Sequence, residues 1–454
     1  MILKDALVVT PRSDASVGHL DVKLASIGIE DGIIRAVGAY ASVRRQCPHG
    51  GEEIDCGGAS PHPFIALPGF VDGHSHSRQM AFQGYSQSGW QDPASRPQNA
   101  AEAVDLFRWF LLESVKAGVT FLCDWPEHPQ LWNPAPLDEE LRASGLRGCL
   151  RVLLPHNRGK PWPEVSIAAE NLRQTLRGLR DGVGLGVWIP EEDRQEFNGP
   201  LLSALGRLQA AMCDEPILFQ MHLAESKKRK NACERPLARL LRHGLIHGSA
   251  RTVFVHAIWT DAEELQTLID GRDHLGVITC PKFSDGRVAP IKELLQGGVA
   301  VGLGSDLAVP DSLDLIRNLM SIHNSRAEPL RISIGEALHV ATLGGARAFG
   351  LEQRIGSIEE GKDADIVLLK SPAAIDPDLF ARSQDGERRP ENLRIVERLF
   401  TRNVLRKEHI DKVIVRGRVI VDGGILVSRD HEAAITAAGR NTAWTIMKRL
   451  ADSR

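Results

Sequence analysis

The sequence predicts an α/β protein, a TIM-like (β/α)8 barrel with a small composite β-sandwich domain built from both termini. Three observations support this prediction. Short apolar runs alternate with helical periodicity through the middle of the chain, β-rich segments lie at both ends, and histidine or carboxylate motifs stand at the ends of four of the runs. Parallel barrels carry their functional side chains at the carboxyl ends of the strands, so the motifs fit the same architecture.

Length and composition indicate a folded globular protein. The 454 residues correspond to about three domains of ~150 residues, or to one large barrel with additions. Apolar residues make up 43% and charged residues 25% of the chain, which is ordinary usage. The net charge of -3 supplies no field that would attract nucleic acid or an anionic membrane. We therefore expect neither kind of partner.

Cysteine usage and hydropathy bear on the compartment. The seven cysteines are scattered and include no C-x-x-C pair, which argues against a disulfide framework or a zinc ribbon. No run approaches the ~18 apolar residues that a membrane-spanning helix needs, and the amino-terminal segment does not have the apolar core of a signal peptide. We expect reduced thiols and a cytoplasmic location.

Eight apolar runs define the predicted barrel strands, and helical segments lie between them. The runs are 70–72, 119–122, 149–154, 183–189, 217–221, 252–255, 275–279 and 300–304. Eight nearly continuous apolar runs separated by helices match the number of strands in a closed parallel barrel. Helices are predicted at 101–117, 164–179, 201–212, 231–243, 261–269 and 311–323, with Asp261 and Asp311 at N-cap positions.

Both ends of the chain resemble antiparallel strands separated by turns. The predicted strands are 2–4, 6–10, 22–29, 33–37, 365–369 and 412–422. They are rich in apolar and β-branched residues and are separated by turns that contain Asp and Gly. One domain can therefore be built from both termini. The predicted boundaries are 1–66 for the first part of the β-sandwich, 67–354 for the barrel, and 355–454 for the second part of the β-sandwich with a carboxyl-terminal helix.

Four strand ends carry residues that could bind a metal or transfer a proton. His74 and His76 flank one residue at the end of the first run, and residues i and i+2 of an extended segment point the same way. His222 ends the fifth run and is followed by Glu225, while His256 and Asp306 follow the sixth and eighth runs. Each of these residues alone is also compatible with a structural role. Asp306, for example, could cap a helix. Their joint placement at four strand ends favours a metal site.

These motifs resemble those of the amidohydrolase superfamily, in its cytosine-deaminase-like and triazine-hydrolase-like branch. The resemblance is carried by 68–76, 222–225, His256, 304–306 and 356–367, and it covers nearly the whole chain. It implies that His74, His76, His222 and Asp306 bind one divalent metal ion, Zn²⁺ first and Fe²⁺ second. Relatives with two metals use a carboxylated lysine near the end of the fourth strand, and residues 186–190 contain no lysine.

The expected chemistry is metal-assisted hydrolysis. A metal ion lowers the pKa of bound water from ~15.7 toward ~7. Asp306 would take the proton of that water, and His256 would hold the hydroxide or the developing oxyanion. Glu225 would protonate the nitrogen under attack and then the departing amine.

Two segments bear on the substrate. The loop 78–92 combines amides with aromatic residues, so Gln83 and Trp90 are predicted substrate contacts, and His156 after the third strand is a third. The basic run 227–230 follows Glu225, where most relatives carry acidic residues. Either it is a solvated loop, or it lies at the pocket rim and favours an anionic substrate tail.

The preferred hypothesis is a hydrolytic deaminase that acts on an amidine-like carbon of a heterocycle or related small molecule. The alternatives are an amidohydrolase, a hydrolytic dechlorinase or N-dealkylase, and a non-catalytic barrel. Glu225 favours ammonia as the leaving group, because chloride needs no protonation. The resemblance also implies a homodimer or a larger homo-oligomer.

Overall fold

The computed structural model describes most of the chain. The described residues are 1–57, 62–82, 93–125, 135–152, 164–179, 183–192, 194, 197–233, 235–246, 250–281, 284, 286–306, 311–325, 330–371, 389–401 and 405–452. Among them, no helix combines the length and the apolar character needed to cross a membrane.

The described strands form two sheets. In chain order they are β1 (Ile2–Pro11), β2 (Leu20–Glu30), β3 (Ile33–Gly38), β4 (Glu53–Asp55), β5 (Phe64–Pro68), β6 (Phe70–Ser75), β7 (Val119–Asp124), β8 (Arg147–Val152), β9 (Val183–Trp188), β10 (Ile217–Leu223), β11 (Thr252–His256), β12 (Leu275–Thr279), β13 (Ala300–Leu303), β14 (Ile366–Lys370), β15 (Ile410–Val415), β16 (Arg418–Asp422) and β17 (Ile425–Leu426).

The described helices alternate with the barrel strands and continue beyond them. They are α1 (Tyr40–Gln46), α2 (Ala100–Lys116), α3 (Ala135–Ala143), α4 (Val165–Gly178), α5 (Gly199–Ala211), α6 (Lys227–Ala232), α7 (Pro236–Arg242), α8 (Ala262–Asp270), α9 (Ile291–Gln296), α10 (Ser312–Asn324), α11 (Ile334–His339), α12 (Gly345–Ala348), α13 (Arg389–Thr401) and α14 (Arg429–Asp452).

Strands β6 to β13 close into an eight-stranded barrel. Neighbouring strands are parallel, as in the pairing of β8 with β9 and of β10 with β11. All eight strands coincide with the eight apolar runs of the sequence, and the predicted barrel is confirmed. Runs without alternation form these strands because both faces of each strand are covered.

The second sheet has nine strands and draws on both ends of the chain. Its order is β17-β16-β15-β14-β5-β1-β2-β3, with β4 also paired to β1. The amino-terminal β5 lies antiparallel to the carboxyl-terminal β14, which joins the two parts of the sheet. The predicted composite β domain from both termini is confirmed.

The described chain divides into two compact units. One comprises Met1–Asp72, Glu113–Phe121 and Pro310–Glu432 and contains the nine-stranded sheet. The other comprises Gly73–Leu112, Leu122–Val309 and Ala433–Arg454 and contains most of the barrel. The boundaries 1–66, 67–354 and 355–454 stay a prediction.

Two helix N-caps predicted from the sequence are present, and one predicted helix is not. Asp261 accepts a hydrogen bond from the Glu264 amide at 3.0 Å, and Asp311 accepts one from the Asp314 amide at 3.0 Å, so both predicted N-caps are confirmed. The single helix predicted over 231–243 is wrong, because α6 and α7 replace it. Proline disfavours helical geometry in the residue before it, and Arg235 before Pro236 adopts φ 55°.

Candidate active site

The carboxyl ends of four barrel strands bring the predicted site residues together. His74 lies on β6 with His76 two residues further on, His222 lies on β10, His256 ends β11, and Asp306 follows β13. The Asp306 amide donates to the His74 carbonyl oxygen at 2.9 Å, which fixes the end of β13 against β6. The four histidines and the aspartate therefore lie at one mouth of the barrel.

The candidate ligand atoms converge on one point. The His74 Nε2 lies 3.1 Å from the His76 Nε2 and 3.0 Å from the His222 Nε2. One carboxylate oxygen of Asp306 lies 3.5 Å from the His74 Nε2 and 3.4 Å from the His76 Nε2. The geometry assembles three imidazole nitrogens and one carboxylate oxygen from three separate strands.

This donor set fits a tetrahedral divalent cation. Zinc ligand atoms at ~2.0–2.1 Å from the metal are separated from one another by roughly 3.3 Å. The four separations above lie close to that value. Burial lowers the pKa of His74 well below its ordinary value, with the charge of Arg151 adding to the effect, and burial also lowers the pKa of His222. Both rings are therefore neutral at neutral pH, the form that binds a metal.

Two further donors lie within the same cluster. His256 shares one potential ligand set with His74 and His222, and another with Cys280 and Asp306, with all donor atoms of a set within 4.8 Å of one another. Cys280 was not among the donors predicted from the sequence. It follows β12 directly and is buried, so its position after a barrel strand is the signal that could have drawn attention to it.

Glu225 and His256 face each other beside the cluster. The His256 Nε2 lies 3.8 Å from one Glu225 oxygen, and the Arg229 guanidinium binds the other oxygen at 2.9 Å. The Glu225 side chain is 24% exposed, whereas His256 is buried. A partly exposed carboxylate next to a buried imidazole can take up or release a proton at the edge of the site.

Left-handed backbone conformations recur at the ends of these strands. Ala224, His256, Ala257 and Asp306 have φ values of 46°, 75°, 51° and 55°. Such conformations cost about 1–3 kcal/mol each for residues with a side chain, and they cluster at functional sites in proteins. The Ala257 amide donates to the Leu223 carbonyl oxygen at 2.9 Å and holds one of these turns.

Supporting residues that the sequence analysis missed orient two of the histidines. The His222 Nδ1 lies 3.1 Å from Glu191, and the His74 Nδ1 lies 3.5 Å from the Gln220 side-chain oxygen. Burial alone would raise the pKa of Glu191, but the contact with His222 and the charges of Arg229 and Arg194 together outweigh it and lower that pKa to about 2. Gln220 was detectable, because it precedes His222 by two residues and so shares its strand face.

Aromatic and amide groups also lie near the cluster. The Trp125 ring lies 5.6 Å from the His76 ring, 5.9 Å from the His222 ring and 5.7 Å from the Trp188 ring. Gln79, on the helical turn Ser77–Phe82, is buried, and neither atom of its amide has a hydrogen-bond partner in the described structure. An unsatisfied buried amide is a candidate for ligand recognition.

Three predicted substrate contacts lie outside the described residues, namely Gln83, Trp90 and His156. The basic run 227–230 is described. Lys227 and Lys228 are exposed, Arg229 binds Glu225, and Lys230 binds Asp261 at 2.9 Å. Two of its four cations are therefore held by carboxylates.

Comparisons with known proteins agree with this geometry. The profile described as "Amidohydrolase family" matches residues 65–420. The chain is 27% identical over 398 residues to a 5-methylthioadenosine/S-adenosylhomocysteine deaminase from Moorella thermoacetica, with 81% of this chain and 84% of that protein covered. It is 25% identical over 393 residues to a 5'-deoxyadenosine deaminase from Methanosarcina acetivorans, with the same two coverages of 81% and 84%.

Solved structures share the fold. An adenosine deaminase from Xanthomonas campestris with bound zinc superposes with a TM-score of 0.76 at 19% identity, with 98% of each chain covered. A mutant of atrazine chlorohydrolase from Arthrobacter aurescens, complexed with zinc and atraton, gives a TM-score of 0.74 at 20% identity, with 98% of this chain and 99% of that chain covered. The family profile spans well over half of the sequence, and the chain belongs to the amidohydrolase family.

Proposed function

We propose that this protein is a metal-dependent aminohydrolase that deaminates an amidine-like carbon of a heterocycle. The convergence of His74, His76, His222 and Asp306 at one barrel mouth carries the proposal, with Glu225 beside His256 at the same mouth. The deaminases among its relatives support the type of reaction.

His74, His76, His222 and Asp306 would hold one divalent cation, with zinc as the first candidate and ferrous iron as the second. Such a cation supplies Lewis-acid activation of water, whose pKa falls from ~15.7 toward ~7. The separations between these four donor atoms support this assignment, and zinc is bound in the adenosine deaminase that shares the fold.

The chain's own residues supply the proton transfers in this proposal. Asp306 accepts a proton from the attacking water, and the His256 Nε2 donates a hydrogen bond to the oxyanion that develops on the attacked carbon. Glu225 delivers a proton to the ring nitrogen, takes up the hydroxyl proton of the tetrahedral adduct and passes it to the departing amine. The proton held by Asp306 then returns to Glu225. Water adds to the carbon, the exocyclic C–N bond breaks, and ammonia leaves.

Aminopurine nucleosides are the first substrates to test. The relatives named above act on 5-methylthioadenosine, S-adenosylhomocysteine or 5'-deoxyadenosine, as their names state. Trp125 and Trp188 offer flat aromatic surface next to the His76 and His222 rings, which suits a planar heterocycle.

The test combines metal analysis of the purified protein with ammonia release from purine nucleosides, pterins, pyrimidines, triazines and guanidines. We expect one metal ion per chain and ammonia from at least one compound. Turnover of a halide or an amide without ammonia would instead support the dechlorinase, N-dealkylase or amidohydrolase alternatives. Bound metal without turnover of any compound would support a non-catalytic barrel.

A cytoplasmic location and a homodimer or larger homo-oligomer are also proposed. Light scattering after size-exclusion chromatography measures the mass of the assembly, and a monomer would contradict the second proposal. Fractionation of the cells that express the protein tests the first.

A further inference from the structure

Arg151 is a buried cation for which the structure shows no carboxylate partner among the described residues. It lies on β8, one residue before the end of the strand, and is 3% exposed. Its Nη2 donates a hydrogen bond to the Ser75 carbonyl oxygen at 3.3 Å, and its Nε has no hydrogen-bond partner in the described part of the chain. Because an uncompensated buried charge is unfavourable, a group of opposite charge from a ligand would stabilise this side chain.

The guanidinium group lies close to the candidate active site. Ser75, whose carbonyl it contacts, stands between His74 and His76. The guanidinium carbon lies 5.1 Å from the centre of the Trp125 ring, and that ring lies 5.6 Å from the His76 ring. One substituted heterocycle is long enough to extend from the metal-competent histidines to this cation.

The neighbouring strand leaves room for the arginine. Gly186 of β9 pairs with Arg151 of β8, and a Cβ at that glycine would lie 2.7 Å from the Arg151 Cγ. Any larger residue at Gly186 would displace the arginine stem. The position of the cation is therefore built by two adjacent strands of the barrel.

The other carboxylates near the site form their contacts with groups other than Arg151. Glu225 binds Arg229 at 2.9 Å, and Glu191 binds Arg194 at 3.0 Å. Asp306 faces His74 and His76, and the buried Asp124 accepts hydrogen bonds from the Ser75 and Ser77 hydroxyl groups at 2.9 and 2.7 Å. None of these carboxylates forms an ion pair with Arg151 among the described residues, so its guanidinium group remains available to an anionic group of a ligand.

We propose that Arg151 binds a carboxylate of the substrate and thereby selects aminated heterocycles that carry an acidic substituent. A planar guanidinium can hold such a group by parallel hydrogen bonds from two nitrogens. The inference rests on the proposed function, because the amidine carbon must lie at the metal cluster while the substituent reaches Arg151.

The test measures binding and turnover for matched pairs that differ in one carboxylate. The pairs are 5'-deoxyadenosine and adenosine-5'-carboxylate, pterin and pterin-6-carboxylate, and cytosine and 5-carboxycytosine. Calorimetry on the metal-loaded Glu225→Gln protein gives dissociation constants without turnover. We expect the acidic member of at least one pair to bind at least ~30-fold more tightly than its parent, as a charge-assisted hydrogen-bond pair implies.

Substitution of Arg151 should remove that preference. Arg151→Met should bring the two dissociation constants of the pair to within a few-fold, and Arg151→Lys should restore part of the difference. Arg147→Met is the matched control, because it removes another buried arginine from the start of the same strand. It should leave the preference intact in protein that circular dichroism shows to be folded.

The outcomes separate this inference from the proposed function. Arginine-dependent binding of the acid without ammonia release from any compound would retain the carboxylate site and reject the deaminase. Ammonia release with no preference for the acidic member, or equal losses in the Arg151 and Arg147 variants, would overturn the carboxylate site.

Discussion

The His74 and His222 rings each present Nε2 to the centre of the candidate site, while Nδ1 contacts a supporting side chain. An imidazole that binds a metal through one nitrogen carries its proton on the other, so an acceptor at Nδ1 fixes the required tautomer. Glu191 serves His222 in this way, and Gln220 serves His74. Gln220 also donates to the Gly73 carbonyl oxygen at 3.2 Å, which orients its own amide.

Replacement of the Glu191 carboxylate should weaken metal binding. In Glu191→Gln the partner of the His222 Nδ1 loses its charge, and supporting residues of this kind contribute about 10- to 100-fold to metal affinity. Competition with a chromogenic chelator measures the change. Glu170→Gln, on the exposed part of α4, is the control, and equal affinities of the two variants would contradict the role given to Glu191.

Replacement of Glu225 should separate metal binding from turnover. Glu225→Gln keeps the shape of the side chain and removes the proton that the departing amine needs, so kcat should fall by about 100- to 10,000-fold while metal content stays at the wild-type level. Steady-state ammonia release and metal analysis check the two parts. Glu139→Gln, an exposed glutamate of α3, should change neither. Undiminished turnover in Glu225→Gln would exclude the proposed proton transfer.

Among the elements, the end of β6 packs against Gly304, the residue that follows β13. A Cβ at Gly304 would lie 2.9 Å from the His74 Cβ, 2.9 Å from the Ile278 Cγ2 and 3.1 Å from the Cys280 Sγ. All three neighbours are buried, so none can move aside without displacing packed atoms. The absence of a side chain at Gly304 therefore keeps His74 in place.

A methyl group at this position should damage the site more than the fold. Gly304→Ala should shift His74 and weaken metal binding by at least ~10-fold, with a loss of stability of about 1–3 kcal/mol from overpacking. Chelator competition and urea denaturation measure the two effects. At Gly178 of α4 a Cβ would meet no described atom within 4 Å, and Gly178→Ala is the matched control. Unchanged metal affinity in Gly304→Ala would show that the contact with His74 is not restrictive.

The helices show how far local signals extend. The caps at Asp261 and Asp311 were predictable because each depends on a side chain and an amide only three residues apart. The break between α6 and α7 was missed, although Pro236 is visible in the sequence. A proline is unfavourable inside a helix but favourable in its first turn, so Pro236 could mark the start of a new helix. The apolar periodicity of 231–243 instead suggested one continuous helix.

For the molecule as a whole, His339 links folding stability to pH. It ends α11, and burial lowers its pKa from 6.5 to about 4, with the charge of Arg347 adding to the effect. Between these two values the unfolded chain binds more protons than the folded chain, so stability is lost as pH falls from 6.5 toward 4. The difference corresponds to about 3 kcal/mol.

Removal of this histidine should flatten the acid side of the stability profile. The free energy of unfolding of chelator-treated protein, measured with urea at about pH 7 and about pH 5, should decrease less in His339→Asn and His339→Gln than in the unmodified chain. Treatment with chelator keeps metal release from contributing to either value. An equal decrease in all three proteins would show that His339 does not remain neutral in the folded state.

The sequence by itself determined the barrel strands, the composite sheet and the set of residues that meet at the barrel mouth. These follow from local signals: continuous apolar runs form strands that are covered on both faces, and a residue that follows such a run lies at a strand end. His74, His76, His222, His256 and Asp306 could be placed for that reason without any contact information.

Only the tertiary structure decided which side chains support the site. Glu191 reaches His222 across 31 positions in the chain, and Arg151 reaches Ser75 across 76. Neither belongs to a motif, and each acts through a partner that barrel closure brings alongside. Hydrogen bonds and charge interactions act over a few ångströms in space, so residues distant in sequence acquire these roles only when the chain has folded.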